Sequence, residues 1–116
     1  MTVNRIVPNI ATEKLDKAKA FYSDVLGLRM VMDLGWIVTF AAESETAPQI
    51  SFASVGGSET RVPDLSIEVD NLDEVYERVC ESHYRVEYGP AQEPWGVRRF
   101  YVRDPFGRLV NIMCHN

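Results

Sequence analysis

The chain has 116 residues, 46% of them hydrophobic and 25% charged, with a formal charge of -5, which is the make-up of one soluble globular domain of ordinary size. That length excludes a dinucleotide-binding domain joined to a second catalytic domain and a (β/α)8 barrel of about 250 residues; no apolar run approaches the roughly 20 residues that span a bilayer. The acidic balance argues against nucleic acid, whose phosphates require a clustered basic surface. Arg98 and Arg99, with Arg103 and Arg108 nearby, fit strand faces and ion pairs better than a duplex-binding stripe.

In chain order, residues 5–11 are predicted to form a short strand, with Pro8 pointing to an edge or a bulge. A helix is predicted over 12–27, with Leu15, Ala18, Tyr22, Val25 and Leu26 on one face, Thr12 as N-cap and Gly27 as its left-handed end. Strands follow over 28–34 and 36–42, joined at Asp33–Gly35, and over 49–54. Val55-Gly56-Gly57-Ser58 opens a connection, and no phosphate-cradling loop follows from it because neither helix nor lysine comes next.

The pattern then begins again. Residues 65–69 alternate as a strand, Asp70 or Asn71 caps a helix, and Leu72, Val75, Tyr76, Val79 and Cys80 form its apolar face until it fades near His83. A strand over 84–88 gives way to a loop from Gly89-Pro90 through Pro94-Trp95-Gly96. The last strands, 97–103 and 109–115, are joined by the tight turn Asp104-Pro105-Phe106-Gly107. A shift of 57 positions carries Ile10 onto Ile67, Leu15 onto Leu72, Ala18 onto Val75 and Tyr22 onto Val79, and a shift of 60 carries 49–54 onto 109–114. Each half reads strand–helix–strand–strand–strand.

The segments LDKAKAFYSDVLG (15–27) and PWGVRRFYVRDPFGRLVNI (94–112), in that order and within a repeat, resemble the glyoxalase/bleomycin-resistance/extradiol-dioxygenase family, also called the vicinal oxygen chelate superfamily. The first is similar to the family's helix, with a Phe-Tyr pair before a Val-Leu-Gly ending; the second is similar to its closing hairpin. The resemblance covers nearly the whole chain. It implies a single α+β domain over 1–116, built from two βαβββ modules, about 1–57 and 58–116, whose curved mixed sheet surrounds a cleft. A homodimer is the family's habit.

The resemblance also locates the family's metal-ligand positions, on the first and last strand of each half, at Val7, Ser51, Asp64 and Asn111. Of these only Asp64 is a good ligand, whereas a catalytic divalent ion usually takes three or more imidazole, carboxylate or thiolate donors. His83 lies at a helix end and His115 at the chain end, and neither replaces a missing ligand. No metal and no other cofactor is expected, so the metal-dependent glyoxalase and ring-cleaving dioxygenase activities lose their support.

What remains is a concave, partly apolar chamber, and such sites hold ligands with aromatic walls and a few placed polar groups. The candidate ligand-binding residues are Trp36, Ser51, Asp64, Trp95, Arg98, Tyr101 and Asn111. Trp36 and Trp95 offer flat faces for a planar or cationic ligand, against the plainer role of filling a core or dimer interface. Asp64 offers a cation anchor or, as the one catalytic candidate, a general base; it is otherwise a solvated strand-end carboxylate. Asn111 lies among apolar neighbours and needs a partner. Arg98 and Tyr101 fall on opposite faces of one strand, so at most one faces the cleft.

The leading expectation is a metal-free small-molecule-binding protein resembling the bleomycin-resistance branch, whose members sequester aromatic, often cationic, antibiotics. The alternative is a lyase, isomerase or dioxygenase-like enzyme of the same superfamily with a non-standard site, Asp64 acting as base and Arg98 or Asn111 stabilising negative charge. A third is a subunit that uses the fold to bind another protein. The N-terminal MTVNRIVPNIATEK lacks the features of a signal peptide. Cys80 and Cys114 form no CxxC pair, so both are expected to be reduced, buried residues of a cytoplasmic protein.

Overall fold

Alternation along the strands and helical spacing of apolar side chains divide the chain into two units, each a sheet with one helical segment laid on one face. The computed structural model describes residues 1–44 and 47–116. One unit comprises Val7–Val62; the other comprises Pro63–Asn116 together with Met1–Ile6. The first strand, β1 (Val3–Ala11), begins in one unit and ends in the other.

In the first of these units, β2 (Arg29–Asp33), β3 (Ile37–Ala41), β4 (Gln49–Ala53) and the end of β1 follow one another across the sheet. β1 pairs parallel to β4 through Asn9↔Ser51, Ile10↔Phe52 and Ala11↔Ala53. Pro8, which cannot donate, immediately precedes the first of these pairs. The predicted helix is divided: α1 covers Leu15–Ala18, and Lys19–Val25 continue as a wider π-helical turn in which Leu26 N–H reaches Phe21 O at 3.0 Å. Thr12 is not its N-cap. That place falls to Lys14, with no side-chain cap, and the Thr12 hydroxyl accepts from Lys14 N–H at 3.0 Å. Ala18, Val38, Phe40 and Phe52 form the core, with Tyr22 against Phe52 at 4.8 Å between ring centres.

The other unit orders its strands β5 (Leu65–Val69), β8 (Leu109–His115), β7 (Val97–Arg103) and β6 (Val86–Gln92). Helix α2 (Leu72–Glu81) is capped by Asn71, whose side chain accepts from Glu74 N–H at 3.1 Å, and Asp73 and Glu74 add negative charge to its first turn. Its Leu72, Val75, Tyr76 and Val79 pack on Val69, Phe100, Val102, Val110 and Ile112. Cys80, expected inside, is exposed, because the apolar stripe ends one position before it; Cys114 is half-buried, and both thiols are free. Residues Met1–Ile6 join this unit through Thr2 N–H donating to Asp70 Oδ1 at 2.7 Å, Asp70 N–H returning to Thr2 O at 3.1 Å, and Arg5 pairing with Glu68 at 2.9 Å.

β6 departs most from the sequence reading. It does not stop at Tyr88 but runs on through the cis Gly89–Pro90 bond to Gln92, with register shifts on either side of Tyr88. The turn-forming pair that looked like the start of a loop forms the second of two register irregularities inside a strand. Among the described residues no helix is long and apolar enough to cross a membrane.

Candidate functional site

Successive strand side chains point to opposite faces. In the unit containing α2, Ile67, Phe100, Val102, Val110 and Ile112 pack toward the helix. The intervening residues therefore lie on the face that α2 leaves uncovered. One row crosses all four strands there as direct partners, Ser66↔Asn111↔Tyr101↔Tyr88, and the next runs Glu68↔Met113↔Arg99↔Ala91.

The second row is organised by Arg99. Its side chain and that of Glu93 are each 4% exposed, and Arg99 Nε donates to Glu93 Oε2 at 2.6 Å. Tyr88 donates its hydroxyl to both Glu93 oxygens, at 3.0 and 3.2 Å, and Arg99 Nη1 donates to the Tyr101 hydroxyl at 2.8 Å. The guanidinium carbon lies 5.4 Å from the Tyr88 ring centre, 5.0 Å from that of Trp95 and 4.8 Å from that of Tyr101. Both charges are out of water, so each depends on the other and on these hydrogen bonds for its compensation. Glu93 is placed by its own backbone, with Glu93 N–H donating to Val97 O at 2.8 Å and Gly96 N–H to Glu93 O at 3.2 Å; this short turn also carries Trp95.

Gly89 lets β6 come close enough. A Cβ there would stand 2.5 Å from Arg99 O and 3.1 Å from Phe100 Cα, and the residue has φ +77°. The first row contributes an amide. Asn111 is 7% exposed; its Nδ2 donates to Ser66 Oγ at 3.0 Å, while its Oδ1 is buried and has no hydrogen-bond partner among the described residues.

Of the residues singled out from the sequence, Trp95, Tyr101 and Asn111 thus share one patch. Arg98 lies on the α2 side and pairs with Asp73 at 2.6 Å, which places it away from Tyr101 and Asn111. Asp64 is exposed at the entry to β5, where it accepts from Leu109 N–H at 3.1 Å and donates its own N–H to Leu109 O at 2.8 Å. Through Oδ2 it helps fasten the start of β8. Trp36 and Ser51 belong to the other unit; Ser51 Oγ and Thr39 Oγ1 are 2.7 Å apart, both buried. His115 Nδ1 lies 3.1 Å from Glu68 Oε2.

Arg99, Glu93, Tyr88 and Ser66 are the members that the sequence reading passed over. Arg99 shares the parity of Tyr101 along β7, and that was the available signal. Glu93 had none, because it sits beyond a strand interrupted by Gly89-Pro90.

The residues present do not suit the divalent ion held by metal-dependent relatives. Val7 has no donor, the Ser51 hydroxyl is paired with Thr39, Asn111 offers a neutral amide, and Asp64 alone supplies a carboxylate. Among the described residues, no three His, Cys, Asp or Glu side chains gather as they would around a metal.

The two units, each with a βαβββ element order, define the paired-module fold. Residues 2–112 match the family described as the Glyoxalase/Bleomycin resistance protein/Dioxygenase superfamily, and the chain belongs to it. Similar solved structures include a Legionella pneumophila protein described as an NAD-dependent benzaldehyde dehydrogenase (TM-score 0.77, 17% identity, covering 96% of this chain and 99% of that one). A superfamily member from Vibrio splendidus 12B01 aligns with TM-score 0.67 and 17% identity over 99% of this chain and 100% of that one. Methylmalonyl-CoA epimerase from Mycobacterium tuberculosis aligns with TM-score 0.65 and 20% identity over 98% and 87%. At these identities the likeness shows the fold. No curated protein matches the chain.

Proposed function

We propose that this chain is a metal-free small-molecule-binding protein that captures an aromatic or cationic ligand by stacking and hydrogen bonding, with no bond made or broken. The observation that carries this reading is the wall of Tyr88, Trp95 and Tyr101 rings around Arg99. Glu93 offsets the charge of Arg99, so a planar or cationic guest beside Trp95 meets an aromatic edge without an uncompensated positive charge. Trp95 is half-buried, leaving part of its ring within reach. The same groups serve poorly as general acids or bases, because Glu93 already accepts from Arg99 and Tyr88.

Sequestration of the kind seen in the bleomycin-resistance branch, in the cytoplasm and by a homodimer, completes the proposal. The free thiols of Cys80 and Cys114 suit a reducing compartment, and the exposed Ile6, Ile10, Phe21, Val25 and Leu26 provide apolar surface for a second copy. Isothermal titration against a panel of planar aromatic cations is the test. Binding that weakens roughly tenfold or more in Trp95→Ala supports the reading, whereas a flat titration for every compound in the panel refutes it.

A further inference from the structure

The geometry points to Asn111 as the specificity-determining residue of this face. Its Oδ1 takes a hydrogen bond from an N–H or O–H carried on the ligand's ring system, so the site selects donor-bearing heteroaromatic molecules over acceptor-only ones. The inference rests on the ligand-capture reading above and gives that ligand a chemical requirement.

A buried carbonyl oxygen without a donor costs free energy, and native structures rarely leave one. Asn111 Oδ1 is in that position. The sheet supplies no remedy along its own strand, because the flanking residues on the same face, Leu109 and Met113, are buried and apolar. Nor is the amide idle: Nδ2 is engaged by Ser66 Oγ, which fixes the nitrogen toward β5 and leaves the oxygen as the vacant valence. Tyr101, the cross-strand partner on the other side, belongs to the aromatic wall.

The repeat supplies a contrast. A shift of 60 positions carries Asn111 onto Ser51, and there the polar side chain is closed on a neighbour, Thr39, at 2.7 Å. An unpartnered acceptor at this position is therefore no requirement of the module.

The experiment compares indole with benzofuran, bicyclic rings of one outline that present N–H and ring oxygen respectively, by NMR titration of the full chain. Wild type is expected to bind indole roughly tenfold more tightly. Asn111→Leu should reduce indole to the affinity of benzofuran. Asn111→Asp, which keeps an acceptor oxygen, should preserve the preference and decides the matter where the leucine variant does not fold. Equal affinities in wild type, a preference that survives in folded Asn111→Leu, or one lost in Asn111→Asp would each overturn the inference while leaving ligand capture standing. Binding of neither ring overturns the inference, and the titration against aromatic cations then decides ligand capture on its own.

Discussion

Arg99 and Glu93 form an ion pair of 2.6 Å in which each side chain is 4% exposed. Two charges so placed stabilise one another but have lost their hydration, and the net worth of such a pair is small compared with the cost of breaking it. The pair sets the shape of the aromatic patch, since Tyr88 bonds to Glu93 and Tyr101 to Arg99.

Removing one partner should therefore be far worse than removing both. Glu93→Leu is expected to destabilise the protein by roughly 3–5 kcal/mol, because it strands a buried guanidinium. Adding Arg99→Met should recover most of that loss. Urea unfolding of the two single variants and the double variant gives the coupling directly; additive losses would show that the pair is not mutually dependent.

Gly89 gives a second prediction, on how β6 is held against β7. Gly89→Ala combines a positive φ with a Cβ 2.5 Å from Arg99 O, and should cost more than about 1 kcal/mol. Gly96→Ala is the control: its φ is +89° but a Cβ there meets nothing within 4 Å. A larger loss of stability for Gly89→Ala, with altered NMR shifts at Arg99 and Phe100, is the expected result, and equal losses would assign the whole effect to φ.

Where side-chain pattern decides an element locally, the sequence was legible. The alternation of 65–69, 97–103 and 109–115 and the stripe from Leu72 to Val79 correspond to β5, β7, β8 and α2. Legibility failed where the deciding partner is distant. The 12–27 stripe marks a helix but is silent on its widening to a π-helical turn, and Thr12 has the chemistry of an N-cap without the position. Gly89-Pro90 has the composition of a loop, yet β7 recruits it into a strand. Alternation separated Arg98 from Tyr101, but the choice of face depends on which side α2 covers. Arg98 goes to Asp73 of that helix, and the neighbouring Arg99 builds the site.

The β7–β8 turn yields a third prediction. Asp104 Oδ1 accepts from Phe106 N–H at 2.8 Å and from Arg108 N–H at 2.9 Å. Asp104→Ala should lower stability by about 1–2 kcal/mol by losing both bonds, while Asp104→Asn, which retains a carbonyl oxygen, should lose less. Chemical denaturation separates the two, and an alanine variant as stable as wild type would show that the Pro105-Phe106-Gly107 backbone suffices.

The tie between Asp70 and the first residues of the chain predicts a pH dependence. The Thr2 N–H bonded to Asp70, helped by the positive charge of the amino terminus and opposed by desolvation, holds the Asp70 carboxyl below its ordinary value of 3.8. A carboxyl depressed in the folded state stabilises the protein above its unfolded value, and that contribution is lost as pH falls through the folded value. Asp70→Asn, which can still accept from Thr2 but carries no charge, should therefore melt below wild type at neutral pH. The two melting curves should converge as pH falls below 3.8. The group is at the surface, so the gap will be small and will shrink in high salt. Melting temperatures measured across this range in low salt provide the check, and curves that stay parallel to the acid end would show that Asp70 does not titrate with folding.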